Sequence, residues 1–220
     1  MLNKIRPYFL LAIIITALAG CFFMHEAKSK ENEAQILTKE ASQIKDPIFD
    51  QAFSIVLGHE GGFSNDKNDA GGATAFGISL RFMKDDDIDI DGDGDIDLSD
   101  VKALTKAESK EIYYHFFWIK NNYQFIENSQ VAVKLFDMAV NMGAYQANKI
   151  CKRAINDILV DNMPVNGIMN EETIATLNEI HPSAIIQQLR ERQAEFYRSI
   201  VAKNPKLKKF ENGWLARAEF

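Results

Sequence analysis

Two carboxyl side chains, Glu60 and Asp69, stand nine residues apart in a glycine-rich stretch of the chain. A glycine pair follows each of them, at positions 61–62 and 71–72. Hydrolysis of a glycosidic bond uses two carboxyl groups at a short, fixed separation, one of which donates a proton to the leaving oxygen. This spacing therefore predicts a site for carbohydrate hydrolysis.

Glu60 falls at the end of a predicted helix. Asp46 and Pro47 are residue types preferred at a helix N-cap and first turn, and apolar residues then recur at helical spacing up to Glu60. These residues are Phe49, Ala52, Phe53 and Val56. Burial of this face and the partial negative charge of a helix C-terminus both raise the pKa of a carboxyl group, as a general acid requires. The alternative is a glutamate that makes a structural hydrogen bond at the helix end.

Asp69 and Thr74 are the candidate partners of Glu60 in catalysis. Residues 65–69 are rich in turn formers, and such a loop can fold back and present Asp69 beside the helix end. The Thr74 hydroxyl would hold a water molecule in the same site. Asp69 could instead bond its own backbone in a turn, and Asp66 is its rival for the catalytic role.

This segment resembles the signature of glycoside hydrolase family 108, the N-acetylmuramidases of phage endolysins and bacterial secretion systems. The residues that carry the likeness are Glu60–Gly61–Gly62, Asp69, Gly71–Gly72, Thr74 and Gly77–Ile78. Two further blocks, Phe136–Gly143 and Phe210–Arg217, resemble the central helix and the C-terminal end of the family. The likeness covers residues 48–217.

The resemblance implies a mainly α, lysozyme-like catalytic domain with a small β element. It implies hydrolysis of the bond between N-acetylmuramic acid and N-acetylglucosamine in peptidoglycan, with Glu60 as the essential acid. The spacing of Glu60, Asp69 and Thr74 is also similar to that of the glutamate, aspartate and threonine of phage-type lysozymes. Two alternatives stay open: a lytic transglycosylase, which uses one glutamate, and a non-catalytic, calcium-stabilised lipoprotein that binds the cell wall.

The aspartate-rich segment over residues 89–100 fits the calcium loop of the EF-hand type, as an insertion in the catalytic domain. Its candidate metal ligands are Asp89, Asp91, Asp93, Asp95, Asp97 and Asp100. Gly94 stands at the sharp turn, and Asp100 replaces the glutamate that usually ends such a loop. Hard oxygen ligands at this density select calcium, which would fix one wall of the substrate cleft. The alternative is a solvated acidic loop.

The negative charge of the chain is concentrated in the same segment. The formal net charge is −6, and residues 85–100 contain nine aspartates without a lysine or arginine. There is no basic stripe with interleaved readout residues, so the composition indicates no nucleic-acid partner. Of the two cysteines, Cys21 belongs to an N-terminal signal and Cys151 to a helical pattern, so no structural disulfide is expected.

The N-terminus has the layout of a bacterial export signal. Two basic residues precede an apolar run over residues 8–18, which ends in Leu18–Ala19–Gly20–Cys21. This ending resembles a lipobox, which implies cleavage before Cys21 and acylation of its thiol. Phe22 favours sorting to the outer membrane, so a lipid-anchored periplasmic protein of the cell envelope is expected. The alternative is an uncleaved inner-membrane signal anchor, because the apolar character continues through residue 24.

These features divide the chain into a lipoprotein signal peptide (1–20), a lipid-anchored tether (21–45), a muramidase catalytic domain (46–155) and a helical C-terminal module (156–220). Asp137 and Asn141 are four residues apart on one face of a predicted helix, and Asn141 is the candidate substrate-binding residue. Both could instead satisfy buried backbone groups. The turn over residues 166–173 resembles the glycine-containing turn of peptidoglycan-binding helical modules.

Overall fold

The computed structural model describes residues 46–59, 72–160 and 162–220. Within these ranges the chain is mainly α-helical, as the sequence predicts, with nine α-helices and one two-stranded sheet. The elements are α1 (Pro47–His59), β1 (Thr74–Ala75), β2 (Ile78–Ser79), α2 (Leu80–Asp85), α3 (Leu98–Ala103), α4 (Lys106–Ile112), a π-helical segment (Tyr113–Ile119), a 3-10 turn (Tyr123–Phe125), α5 (Ser129–Met142), α6 (Ala144–Leu159), α7 (Glu171–Glu179), α8 (Pro182–Lys203), a 3-10 turn (Pro205–Leu207) and α9 (Lys208–Glu219).

Helix α1 begins where the sequence predicts, at an aspartate cap. Asp46 Oδ1 accepts hydrogen bonds from the backbone N–H groups of Ile48 and Phe49, at 3.1 and 3.0 Å. Its other oxygen, Oδ2, accepts a 2.8 Å bond from Trp118 Nε1 on the π-helical segment. The predicted apolar face is buried: Phe49, Ala52, Phe53 and Val56 are each at most 4% exposed. The cap therefore fixes both the start of α1 and its position against the core.

Helix α5 runs through the centre of the molecule. Residues 131–139 are all buried, and the helix packs against α1, α6 and α8. The Phe49 ring of α1 meets the Phe136 ring of α5 edge-on, with centroids 5.7 Å apart. Tyr113 and Trp118, from the aromatic-rich stretch over residues 113–118, are each 1% exposed and belong to the same core. These two side chains therefore contribute to the packing of the core.

The sheet is a two-residue hairpin, in which Thr74 pairs with Ser79 and Ala75 with Ile78. Both turn residues, Phe76 and Gly77, have positive φ angles, of 51° and 79°. This pattern is that of a type I′ turn, which matches the right-handed twist of the paired strands and favours glycine at the second position. The Tyr113 hydroxyl donates a 2.9 Å hydrogen bond to the Phe76 carbonyl oxygen and fixes the turn to the core.

The C-terminal half packs back onto the same core. Gly143 separates α5 from α6, and one continuous apolar cluster joins α1 and α5 with α6, α7 and α8. Helix α9 follows α8 and covers residues 208–219. It contacts α5, where Lys134 Nζ donates a 2.8 Å hydrogen bond to the Ala218 carbonyl oxygen of α9. Cys151 is fully buried, and burial raises the pKa of its thiol to about 12. No helix among the described residues is long and apolar enough to cross a membrane.

Candidate active site

Glu60 and Asp69, the two predicted catalytic carboxyl groups, lie outside the described residues, as does Cys21. Glu60 follows the last residue of α1 in the chain. Thr74, the third predicted catalytic residue, is the first residue of β1 and stands opposite Ser79 in the hairpin. Side chains of directly paired strand residues lie on the same face of the sheet, about 5 Å apart at Cβ.

A cleft of about 700 Å³ opens beside this hairpin. One wall consists of hairpin residues 77–79 together with Phe82 of α2. Ser79 caps α2, because its Oγ atom accepts a 3.1 Å hydrogen bond from the Phe82 N–H group. Tyr113, Phe116 and Phe117 of the π-helical segment form the floor. Phe82 packs against both phenylalanines of that floor, with ring centroids 5.7 and 5.3 Å apart. The lining is therefore aromatic on two sides.

The polar side chains that line the cleft include amides, hydroxyl groups and one ammonium group. Lys120, Asn121 and Asn122 follow the π-helical segment directly and line the cleft. Lys120 Nζ lies 3.4 Å from Asp86 Oδ1 and 5.5 Å from the centre of the Phe116 ring. A mostly apolar lining with a few convergent polar groups is typical of ligand-binding clefts. No motif in the sequence marks these three residues, although their position directly after an aromatic-rich stretch is a usable signal.

The C-terminal half of the chain also contributes to the lining of the cleft. Tyr145, at the start of α6, and residues 167–170, before α7, line the cleft there. Tyr145 and Ile168 are 62% and 60% exposed, so together they present apolar surface at the cleft. The predicted turn is present, since Asn170 caps α7 by accepting a 3.1 Å bond from Thr173 N–H. The sequence indicated the turn but gave no sign that it faces the cleft.

Asn141, the predicted substrate-binding residue, lies on α5 and makes a contact with the C-terminal half. Its Oδ1 atom accepts a 2.5 Å hydrogen bond from the Tyr197 hydroxyl on α8. Its neighbours Val140 and Gly143 line the cleft, but among the described residues Asn141 is not part of that lining. Its role in substrate binding stays a prediction. Asp137, one turn earlier, is fully buried and pairs with Arg217.

The aspartate-rich loop between α2 and α3 is closed by hydrogen bonds from its own backbone. Asp89 accepts from the N–H groups of Gly92 and Gly94, at 2.6 and 3.1 Å. Asp100, 1% exposed, accepts from Ile90 N–H at 2.7 Å and from Asp97 N–H at 2.7 Å. Burial alone would raise the pKa of Asp100, but these bonds to its carboxylate outweigh burial and lower that pKa. The two ends of the loop are thereby held together.

The six predicted calcium ligands form two groups of carboxylates. Asp89, Asp91 and Asp93 form one group, and Asp95, Asp97 and Asp100 the other, each with carboxylate oxygens within 4.8 Å of one another. Repulsion by the neighbouring charges of Asp93 and Asp97 raises the pKa of Asp95. Among the described residues, no lysine or arginine forms an ion pair with any of the six. This donor set fits a hard divalent cation such as calcium.

Comparisons with known proteins divide the chain near Gly143. Residues 53–143 match the family model described as Glycosyl hydrolase 108, and residues 146–219 match the one described as Predicted Peptidoglycan domain. The solved structure of Brucella abortus SagA has a similar fold, with a TM-score of 0.64 and 24% sequence identity over 78% of this chain and 89% of that chain. A comparison with curated protein sequences finds no match. Both matched regions line the cleft described above.

Proposed function

We propose how this protein acts from the two family models that it matches, Glycosyl hydrolase 108 over residues 53–143 and Predicted Peptidoglycan domain over residues 146–219. It is a glycoside hydrolase whose substrate is peptidoglycan, which indicates a location in the cell envelope. We propose that it cleaves the bond between N-acetylmuramic acid and N-acetylglucosamine, by carboxyl acid catalysis.

The observation that carries this proposal is the position of Tyr113. Its ring packs against Phe53 of α1, with centroids 5.8 Å apart, and its hydroxyl is bonded to Phe76 in the hairpin turn. Tyr113 also lines the cleft. Through Tyr113, the middle of α1 is thus joined to the hairpin turn and to the cleft. Glu60 follows the last residue of α1 in the chain, and we propose that its carboxyl group acts in this cleft.

In the proposed reaction, Glu60 gives its proton to the glycosidic oxygen as the bond from the anomeric carbon to that oxygen breaks. A water molecule then supplies a hydroxyl group to the anomeric carbon and a proton to a carboxylate. The negative end of the α1 dipole disfavours an ionised carboxyl group at its C-terminus, which supports Glu60 as the proton donor. Asp69, with Thr74, would position the water molecule or stabilise the positive charge that develops on the sugar.

Mass spectrometry of digested peptidoglycan tests this proposal. The wild-type protein is expected to release fragments with N-acetylmuramic acid at the reducing end, and Glu60→Gln is expected to release almost none, because an amide cannot donate the proton. Fragments that end in 1,6-anhydromuramic acid would instead identify a lytic transglycosylase. A wild-type protein that binds the polymer and cleaves nothing would identify a non-catalytic wall-binding protein.

A matched pair of variants tests the second carboxyl group. Asp69→Asn is expected to lower kcat about a hundredfold or more, as loss of a group that acts in the transition state does. Asp66→Asn, the same change three residues earlier, is expected to keep most of the activity. If Asp66→Asn is the inactive variant, the two roles are exchanged.

We further propose that calcium occupies the aspartate-rich loop and stabilises the hairpin side of the cleft. Helix α3, which begins within the loop, packs against β1 and α2, and α2 carries Phe82 into the cleft. The residues that would hold the ion are Asp89, Asp91, Asp93, Asp95, Asp97 and Asp100. The ion would supply positive charge that offsets the repulsion among these carboxylates.

For the N-terminus we propose acylation at Cys21 and anchoring to the outer membrane. The support is the lipobox-like sequence that ends at Cys21 after an apolar run. Metabolic labelling with a fatty acid is expected to mark the wild-type protein and not Cys21→Ser, and fractionation is expected to place it with the outer membrane. Labelling that persists in Cys21→Ser would reject the lipid anchor, and recovery in the inner membrane would favour the uncleaved signal anchor.

A further inference from the structure

Tyr145 is an exposed aromatic residue on a rigid support. It is the second residue of α6, it lines the same cleft as the hairpin, and 62% of it is exposed. Gly167 lies directly behind the ring: a Cβ atom at that position would come within 2.4 Å of Tyr145 Cδ2. The φ angle of Gly167 is +75°, so both space and backbone conformation require glycine there. The ring is therefore backed on one side by the turn that contains Gly167.

That turn is itself hydrogen-bonded to the hydrolase region, residues 53–143. Asn122 Nδ2 donates to the Met169 carbonyl oxygen at 2.7 Å. Asn148 Nδ2 donates to the Gly167 carbonyl oxygen at 3.0 Å and to Asn121 Oδ1 at 2.8 Å. Asn148 is 1% exposed and also accepts a 2.6 Å bond from the Tyr123 hydroxyl. Buried amide networks of this kind, with each member bonded, hold neighbouring segments in one geometry.

We propose that Tyr145 and the turn at residues 166–170 form a glycan subsite of the catalytic cleft, which takes a sugar of the peptidoglycan strand away from the bond that is cleaved. The peptidoglycan domain then contributes a wall of the same cleft as the hairpin. This inference rests on the proposed function, since it assumes that the strand occupies the cleft.

The chemistry of this wall fits a pyranose ring with amide and hydroxyl substituents. The Tyr145 ring offers an exposed aromatic surface, with Lys149 Nζ 5.2 Å from the ring centre, and the exposed Ile168 side chain adds apolar surface in the same cleft. Asn122 and Asn170 line the same cleft, and each has one end of its amide bonded within the protein, Nδ2 of Asn122 to Met169 and Oδ1 of Asn170 to Thr173. The other ends of these two amides are the hydrogen-bonding groups that we assign to the sugar. Binding energy from such a remote part of a substrate contributes to cleavage elsewhere on it.

The test compares substrates of two lengths. Tyr145→Ala is expected to raise KM for long, uncross-linked glycan strands. The factor of this increase should be about ten times the factor for a tetrasaccharide that spans only the cleaved bond. Tyr145→Phe keeps the ring and is expected to restore the wild-type KM. Phe210→Ala, which removes another exposed aromatic residue (45% exposed) outside the cleft, serves as the control. If Tyr145→Ala changed KM by the same factor for both substrates, or changed neither KM, the proposal would be overturned.

Binding measurements separate this inference from the proposed reaction. In the Glu60→Gln background, affinity for long peptide-free strands is expected to fall about tenfold when Tyr145→Ala is added. This result would support the subsite even if the wild-type protein cleaved a different bond. A fall seen only with strands that carry stem peptides would overturn the glycan assignment and indicate a peptide site. An unchanged thermal midpoint for Tyr145→Ala is the folding control, because the side chain is mostly exposed.

Discussion

Arg217, near the end of α9, lies against Asp137 in the middle of α5, with Nη2 of the arginine 2.9 Å from Oδ1 of the aspartate. Arg217 Nε is 3.1 Å from the same oxygen, and the aspartate side chain is fully buried. One turn earlier on α5, Lys134 donates to the Ala218 carbonyl oxygen of α9. The end of the peptidoglycan domain is thus held on the central helix of the hydrolase region by two buried polar contacts.

Removing one partner of this ion pair is expected to destabilise the whole chain. Arg217→Leu should lower the free energy of unfolding by about 3–5 kcal/mol, because it leaves the Asp137 carboxylate buried without its cation. The double variant Asp137→Leu with Arg217→Leu should recover much of this loss. Urea unfolding of the wild type, both single variants and the double variant measures the coupling. Strictly additive single effects would mean that the two side chains do not interact.

Lys134 makes stability depend on pH in the alkaline range. Burial lowers the pKa of its ammonium group from 10.5 to about 8, although Asp137 opposes that shift. The unfolded chain therefore binds more protons than the folded protein between these two values. The free energy of unfolding attributable to Lys134 should be flat below pH about 7 and rise through that window by about 2–3 kcal/mol.

Lys134→Met is the reference for this measurement, since methionine keeps an unbranched apolar stem of similar length. Urea unfolding of both proteins at several pH values gives the difference, which cancels the other groups that titrate in this range. A difference that does not change between neutral pH and pH 10.5 would mean that Lys134 titrates normally in the folded protein.

Local sequence pattern was sufficient for the elements that depend on nearest neighbours. The cap at Asp46, the buried face of α1 and the helical position of Cys151 were predicted and are confirmed. Contacts between residues far apart in sequence were not predictable from periodicity. Asp46 also accepts a bond from Trp118, 72 residues away, and Tyr145 meets Gly167 across the α6–α7 connection. Such partners are selected by packing in three dimensions, which leaves no periodic trace in one sequence.

Calcium is expected to raise the thermal midpoint of the protein, and a chelator to lower it. A ligand at a hundred times its Kd stabilises the folded state by about 2.7 kcal/mol. Asp93→Ala should abolish this response, because Asp93 is an exposed member of the first carboxylate group. Asp85→Ala, which removes an exposed acid just before the loop, is the control and should respond as the wild type does. Equal midpoints with calcium and with chelator would reject the calcium site.

The bond from Tyr113 to Phe76 is expected to matter more for catalysis than for stability. Tyr113→Phe removes the hydroxyl that fixes the hairpin turn and should lower the free energy of unfolding by only about 1 kcal/mol. Because Thr74 belongs to this hairpin and Glu60 follows α1, a looser turn should lower kcat on the tetrasaccharide about tenfold or more.

Tyr123→Phe is the matched control, since it removes another buried hydroxyl, one that is bonded to Asn148 on the peptidoglycan-domain side. Tyr123→Phe should lower the free energy of unfolding by a similar amount. It should raise KM for long strands and leave kcat for the tetrasaccharide unchanged. Hydrogen exchange adds a direct readout: the Leu80 amide, which donates to the Ala73 carbonyl oxygen at 2.9 Å, should exchange faster in Tyr113→Phe alone. Identical kinetic profiles for the two variants would mean that the hydroxyl of Tyr113 has no specific part in holding the hairpin for catalysis.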